Sequence, residues 1–236
     1  MPAEAGETVE DRFVETARFR LRTVVRRVAG GDGRPPLLLF NGIGANAELA
    51  LPFLKALRRT HAFVFDAPGA GLSPAPRWPY RPRHLAQAAL EVAEALGFDG
   101  PLDVAGVSWG GAMAQQFARQ FPDRCRRLVL ASTSPGFVMV PARPRILLSM
   151  ASARRYLKRG EMQRLAGELY GGAFRRDPKL AVGHAAALRG GSQRGYLYQL
   201  ACMAGWSSLP WLRKLRQPVL VMAGTDEPLV RMVNAR

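Results

Sequence analysis

The chain has 236 residues, of which 48% are hydrophobic and 22% charged, so it can fold as one globular domain with a sizeable core. This composition excludes a disordered or fibrous protein. Its 34 lysine and arginine residues outnumber 18 aspartates and glutamates, and the net charge of +16 permits an anionic partner such as an acidic substrate, a membrane surface or nucleic acid.

The predicted elements begin with antiparallel strands and continue as alternating strands and helices. Apolar and basic residues alternate over residues 12–28, as in strands with one solvent-exposed face, and a Gly-Gly-Asp-Gly turn is predicted at 30–33. Short apolar runs predict buried strands at 36–40, 61–65, 101–105, 127–131 and 218–223, and apolar residues every three or four positions predict helices at 47–57, 85–96 and 112–121. This alternation predicts an α/β fold with a mostly parallel sheet flanked by helices.

The alternation is interrupted between Pro135 and Arg216, where Leu, Met, Ala and Arg recur at helical spacing. Fifteen basic residues and only three acidic ones lie there, so +12 of the net charge of +16 belongs to this segment. We predict a helical insertion at residues 135–216 in a core formed by residues 12–134 and 217–236.

Cysteine usage and the N-terminus indicate the compartment. Cys125 and Cys202 lie far apart and outside metal-binding spacing, so neither a disulfide framework nor a zinc site is expected, and a reducing compartment suits the chain. Residues 1–11 contain no apolar segment typical of a secretion signal, and no apolar run has membrane-spanning length. We therefore expect a cytoplasmic protein.

The strongest chemical signal is a G-x-S-x-G motif centred on Ser108, between the predicted strand at 101–105 and the following helix. In this context the motif is typical of a nucleophilic serine on a tight turn, exposed above the sheet edge. The start of the helix also favours negative charge that develops near the serine. Without its flanking elements, the motif would indicate only an ordinary glycine-rich turn.

Acyl transfer through a serine requires hydrogen-bond donors for the oxyanion. Main-chain amides can supply them from the residue after the nucleophile and from the first loop after a parallel strand. Trp109 and Ile43 occupy those positions. We therefore predict an oxyanion hole from these two amides, although the loop around Ile43 could simply turn the chain.

An acid that orients the catalytic base is expected after a later strand, in the order Ser, Asp or Glu, His. Asp226 and Glu227 follow the strand predicted at 218–223, and Glu227 lies just before Pro228, where such an acid usually stands. Either carboxylate can orient an imidazole, so both are candidates, and both could equally be ordinary residues of a surface turn.

No histidine is in the expected position for the base. Nine residues follow Glu227 and none is histidine. His61, His84 and His184 each suit a packed or solvated position better than a catalytic one. Loss of a triad histidine lowers turnover by roughly six orders of magnitude.

Longer stretches of the chain resemble the α/β-hydrolase fold and, more narrowly, the intracellular poly(3-hydroxyalkanoate) depolymerases that act on medium-chain-length polyester. The resemblance runs through PPLLLFNGIGANAEL, DAPGAGLS, DVAGVSWGGAMAQQFARQFPDRC, RRLVLASTSPG, VMVPARPR and YGGAFRRDP. It covers almost the whole chain from about residue 15 and is far more specific than the serine motif alone.

The resemblance implies that Ser108 attacks a polyester carbonyl, that water releases the acyl-enzyme, and that no metal or cofactor is needed. It also implies that residues 135–216 form a cap and that the protein acts on granules in the cytoplasm. Arginines of the cap would meet carboxylate ends or an anionic granule coat, but solvated helix faces explain them equally well. Apolar cap residues would hold the polymer side chains or form the cap's own core: Phe137, Val138, Met139, Tyr170, Phe174, Tyr196, Tyr198, Trp206 and Trp211.

Two departures from the family pattern limit these expectations. Glu227 stands where the family has aspartate, and the family's further strand, histidine-bearing loop and last helix are absent from this sequence. A fragment or a truncated gene product would explain that absence. We expect such a core to expose a sheet edge and an apolar face. Because the histidine is absent, an inactive chain is an alternative to a working hydrolase.

Two other functions are compatible with these residues. The first is an esterase or lactonase for small soluble esters, because the serine motif indicates acyl transfer but not the acyl group. The second is a noncatalytic protein that binds polyester granules. We expect no nucleic-acid partner, because no recognition motif accompanies the positive charge.

Overall fold

The computed structural model describes residues 7–29, 33–151 and 159–235, and most of the turn predicted at 30–33 lies outside them. The first two strands are antiparallel, β1 at Glu7–Glu15 and β2 at Arg20–Val28. β1 begins earlier than predicted, within the acidic stretch, because its carboxylates pair with arginines of β2. Arg26 donates to the Glu7 carboxylate at 2.8 Å, and Arg22 donates to the Asp11 carboxylate at 2.6 Å.

The remaining strands form a parallel sheet, as the sequence predicts. They are β3 at Leu37–Phe40, β4 at Ala62–Phe65, β5 at Leu102–Val107, β6 at Cys125–Ala131 and β7 at Val219–Met222. The sheet order is β1-β2-β4-β3-β5-β6-β7. Helices α1 at Ala47–Ala56, α2 at Pro82–Ala95 and α3 at Trp109–Gln120 connect successive parallel strands. The α/β prediction is therefore confirmed.

The core lies on both faces of the sheet. In β3, Leu38 and Phe40 pack into the cluster beneath α2 and α3, while Leu37 and Leu39 pack into the cluster beneath α1. This alternation follows from the two-residue repeat of a strand and explains why the run is wholly apolar.

The segment between β6 and β7 is helical in its described part, as predicted. Its helices are α4 at Pro144–Met150, α5 at Arg159–Tyr170, α6 at Gly172–Arg176, α7 at Pro178–Ala187 and α8 at Gln193–Cys202. α5 and α7 share a small cluster around Met162 and Ala185. We call this segment the cap. Within the described ranges, no helix is long and apolar enough to cross a membrane.

β7 forms one edge of the described sheet, and its four apolar side chains are all exposed, from 42% at Val219 to 56% at Leu220. All five parallel strands end at the same edge of the sheet, so the loops that follow β3, β5, β6 and β7 come together there.

Candidate active site

Ser108 lies at the turn between β5 and α3 with φ of 54° and ψ of −120°, a conformation rare for a residue with a side chain. The turn is stabilised by hydrogen bonds from the Gly111 amide to the Ser108 oxygen at 2.9 Å and from the Thr133 hydroxyl to the same oxygen at 2.7 Å. A β-carbon on Gly110 would collide with the main chain at Phe40 and Asn41. This glycine therefore lets α3 begin directly against the loop that follows β3.

The loop after β3 has a hydrogen-bonding pattern that isolates one amide. The amide of Gly42 bonds the Asn41 side chain at 3.2 Å, and that of Gly44 bonds Gln199 Oε1 at 2.8 Å. In the described structure the Ile43 amide between them has no such partner. The amide of Trp109, the first residue of α3, has no intrahelical acceptor. Both predicted donors are thus free.

Two largely apolar cavities meet at Ser108 and Ile43. The first, about 670 Å³, extends beneath the cap past Trp109 and Leu200. The second, about 480 Å³, extends along the sheet face near α1. Met150 and Leu229 line both. An ester carbonyl at Ser108 would therefore have apolar space in two directions.

The aromatic and apolar residues predicted to hold polymer side chains divide between these cavities and the cap interior. Phe137 and Met139 line the first cavity, and Tyr170 and Phe174 line the second. Tyr196 is instead buried. Its hydroxyl donates to the Met150 oxygen at 2.6 Å. The rings of Trp206 and Trp211 pack edge to face, at 6.0 Å between centroids.

The two candidate acids have different environments. Glu227 is partly buried, and its Oε1 accepts hydrogen bonds from the amides of Leu229 at 3.1 Å and Val230 at 3.4 Å. Burial raises the pKa of Glu227 despite these bonds and a hydrogen bond from Ser132. Asp226 is half exposed and binds the Gly172 amide and Arg175, which hold its pKa below the usual value. Asp226 thus ties the loop to the cap.

The three histidines differ in their relation to the site. His61 accepts a hydrogen bond from the Val28 amide at 3.1 Å and its ring stacks on Phe98. It lines neither of the two cavities at Ser108. His84 accepts from the Arg81 amide at the start of α2. His184 lines the second cavity with Ser108, and its Nε2 is buried without a hydrogen-bond partner in the described part of the chain. Burial lowers the pKa of His184.

An arginine-rich cleft of about 1460 Å³ lies beside the apolar cavities, between cap helices and the loop after β7. Its charged lining is Arg143, Arg145, Arg164, Arg175, Arg231, Glu168, Asp226 and Glu227. Part of the positive charge of the cap is thus concentrated in one cleft and offset by acids. Over the ranges that the structure describes, no three His, Cys, Asp or Glu side chains converge as metal ligands.

Several residues of the site were not predicted from the sequence. Ser132 has φ of 44° and reaches Glu227, and Leu229 lines both cavities. Gln199 of α8 is 1% exposed and contacts the Ile43 loop from a position 155 residues away. Ser132 and Gln199 contact loops from other parts of the chain, so no local motif marks them.

Comparison with known proteins supports the same architecture. A family model described as the alpha/beta hydrolase fold matches residues 35–236. The chain is 48% identical over 229 residues to a poly(3-hydroxyalkanoate) depolymerase of Ectopseudomonas oleovorans, a match that covers 95% of this chain and 79% of that protein.

Solved structures show the same fold at lower identity. A hydrolase from Pseudomonas aeruginosa superposes with a TM-score of 0.78 at 24% identity, covering 95% of this chain and 84% of that one. An enol-lactonase from Burkholderia xenovorans gives 0.77 at 20% identity, covering 95% and 85%. The chain therefore belongs to the α/β-hydrolase fold family, within which it groups with this poly(3-hydroxyalkanoate) depolymerase.

Proposed function

We propose that this ester hydrolase uses Ser108 as its nucleophile to cleave poly(3-hydroxyalkanoate). The observation that carries the proposal is the strained serine turn at the junction of two apolar cavities. In the reaction, Ser108 Oγ bonds to the ester carbonyl carbon, and the alkoxy group leaves with a proton. Water then cleaves the acyl-serine bond and releases the hydroxyacid.

The amides of Ile43 and Trp109 stabilise the oxyanion in this proposal. Both lack competing acceptors, and they belong to the two loops that meet beside Ser108. Removal of one such donor typically costs about 100- to 1,000-fold in rate. The neighbouring Gly44 amide is bound to Gln199, so it is not the donor.

Glu227 is the proposed acid that orients the base. Its position supports this role, because it is partly buried on the loop after β7 and carries two amide hydrogen bonds that fix its carboxylate. Asp226 is held by Arg175 at the cap and is the weaker candidate. The base is a histidine in this chemistry, and none of His61, His84 and His184, all in the described ranges, hydrogen-bonds Glu227.

The shape of the site favours a polyester with apolar side chains. Apolar space on both sides of Ser108 accommodates alkyl groups on the acyl and alcohol parts of one ester. The mouth of the first cavity also has exposed apolar side chains. Phe137 is 72% exposed and Leu147 45% exposed, and the adjacent Leu148 is 75% exposed. Such a rim suits contact with an insoluble polymer surface.

The name of the related depolymerase supports the substrate class. We propose that the chain acts on polyester granules in the cytoplasm. The smaller-ester alternative requires no exposed rim and only one large cavity. The rim and the paired cavities therefore favour the polymer.

Active-site labelling tests both the nucleophile and the substrate class. We expect a fluorophosphonate probe to modify Ser108. The reaction should be slow, because none of the described histidines hydrogen-bonds Glu227. Oligomers of 3-hydroxyoctanoate should protect Ser108 better than oligomers of 3-hydroxybutyrate. Ser108→Ala should abolish labelling, whereas Ser134→Ala, which removes another serine of the same cavity, should retain it. Absence of a Ser108 adduct would overturn the nucleophile, and equal protection by both oligomers would overturn the medium-chain polyester.

A further inference from the structure

The cap helix α8 contacts both loops that carry the proposed oxyanion donors, and it does so through one residue. Gln199 Oε1 accepts a hydrogen bond from the Gly44 amide at 2.8 Å. The main-chain oxygen of Gln199 accepts from the Trp109 indole at 3.0 Å. Gly44 is next to Ile43, and Trp109 is next to Ser108. One cap residue therefore spans the two donor positions.

The orientation of the Gln199 amide follows from its partner. Only an oxygen can accept from the Gly44 N–H, so Oε1 must face the loop. Gln199 is 1% exposed, and in the described structure its Nε2 is buried without a partner. The hydrogen bond from Gly44 is thus the contact that fixes the orientation of this buried side chain.

α8 is held firmly enough to act as a support. Its residue Gly195 packs directly on Gly69 of the loop after β4, where a β-carbon on Gly195 would lie 2.6 Å from the Gly69 oxygen. The Ser192 amide donates to the same oxygen at 2.9 Å, and the Ser192 hydroxyl accepts from the Gly195 amide. The start of α8 is therefore fixed to the core, one helical turn before Gln199.

The Ile43 loop depends on such a support. Gly44 has φ of 69°, the left-handed region, so the chain reverses sharply after Ile43. The Ile43 amide belongs to the Gly42–Ile43 peptide, whose oxygen accepts a hydrogen bond from the Ala45 amide at 3.1 Å. The peptides on either side of it also restrict its direction. The hydrogen bond from Gly44 to Gln199 fixes one of these, and that from Gly42 to Asn41 fixes the other.

We propose that Gln199 is a positioning residue whose side chain holds the Ile43 amide, across from the Trp109 amide, in the geometry that stabilises the oxyanion. The inference rests on the proposed function, because it assigns these amides to the oxyanion. Gln199 touches neither Ser108 nor the cavities, so its effect is on the rate of acylation and not on substrate binding. The contact between the cap and the core therefore affects the position of the oxyanion donor.

The test is Gln199→Met, which keeps the side-chain length and the main-chain oxygen but removes the acceptor for Gly44. Gln193→Met is the matched control, since it makes the same change at an exposed position of the same helix. We expect the maximal rate of fluorophosphonate labelling of Ser108 to fall about 10- to 100-fold in Gln199→Met. The probe concentration that gives half-maximal rate should change less than twofold, and Gln193→Met should match the unmodified chain.

Hydrogen exchange measured by NMR gives a readout that needs no reaction. The Gly44 amide should exchange at least about tenfold faster in Gln199→Met, while the Ala47 amide, bound to Asp66, stays unchanged. If the Met variant does not fold, Gln199→Asn, one methylene too short for the contact, replaces it.

Three outcomes would overturn the inference. These are an unchanged Gly44 exchange rate in a folded Gln199→Met chain, faster exchange without slower labelling, and a loss of stability with the labelling rate retained. If the unmodified chain does not label at Ser108, the proposed function fails. Gln199 is then judged by exchange alone, and unchanged exchange would also remove its support of the loop.

Discussion

The close approach of α3 to the loop after β3 predicts the effect of Gly110→Ala. A β-carbon at this position would lie 2.5 Å from the Phe40 carbonyl carbon and nearer still to two main-chain oxygens, whereas real β-carbons stay outside 3.0 Å. All three atoms belong to the main chain, so no side chain can rotate away. The start of α3 and the Ile43 loop must separate by at least half an ångström.

This separation moves the proposed oxyanion donors apart. Displacements of about 1 Å at a reacting centre cost on the order of 100-fold in rate. We therefore expect Ser108 labelling by a fluorophosphonate to slow by about 10- to 100-fold in Gly110→Ala. Overpacking should also lower the free energy of unfolding by about 1–3 kcal/mol. Labelling is followed by mass spectrometry, and unfolding by urea titration.

Gly100→Ala is the matched control for this experiment, because a β-carbon on Gly100 meets no atom within 4 Å. It should leave the labelling rate and the free energy of unfolding unchanged within error. The reasoning would be refuted if Gly110→Ala labelled at the rate of Gly100→Ala. In that case the contact between α3 and the loop would not set the geometry around Ser108.

Two further predictions concern ionised groups. Arg22, with a side chain 6% exposed, pairs with Asp11, Glu48 and the fully buried Asp66, so Arg22→Ala should lower the free energy of unfolding in urea by about 3–5 kcal/mol. Arg20, which pairs with Glu15 at the surface, provides the control: Arg20→Ala should lower the free energy of unfolding by less than about 1 kcal/mol. Equal losses in Arg22→Ala and Arg20→Ala would contradict the role of burial. Because burial raises the pKa of Glu227, the stability contributed by its protonated form is lost as pH rises from the usual value of 4.5 through the raised pKa. Glu227→Gln should therefore gain melting temperature relative to the unmodified chain between about pH 4 and pH 7, and a pH-independent difference would argue against that pKa shift.

Features that depend on local sequence were predictable. The apolar run of β3 is visible in the sequence because a strand buried on both faces requires apolar residues at every position. The motif around Ser108 is visible because the strained turn requires glycines beside the serine. Element boundaries agreed within a few residues in the parallel sheet. The helix predicted from Ala112 starts three residues earlier in the structure, at Trp109, because Trp109 and the glycines after it are poor helix formers held in place by the sheet.

Features that depend on contacts between distant residues were not predictable. From the sequence alone, Glu7 and Asp11 indicate only a polar N-terminus. The structure shows that they belong to a strand, because they pair with Arg26 and Arg22 of β2. The difference between Asp226 and Glu227 is likewise invisible in the sequence, because it depends on Arg175 in the cap and on the amides that follow Glu227. Adjacent carboxylates with the same local sequence context differ only in what the fold places beside them.

The same distinction applies to how the site works. The serine motif supplies a nucleophile and one amide, but the second amide belongs to a loop more than sixty residues earlier, and that loop is bound by a cap helix still further along the chain. An ester hydrolase of this design can therefore lose its rate through a change in α8 that leaves the motif intact. If Gln199 acts as proposed, variation in the cap changes two properties, the apolar surface offered to the polymer and the position of the oxyanion donors, and the two can be separated by measuring binding and acylation independently.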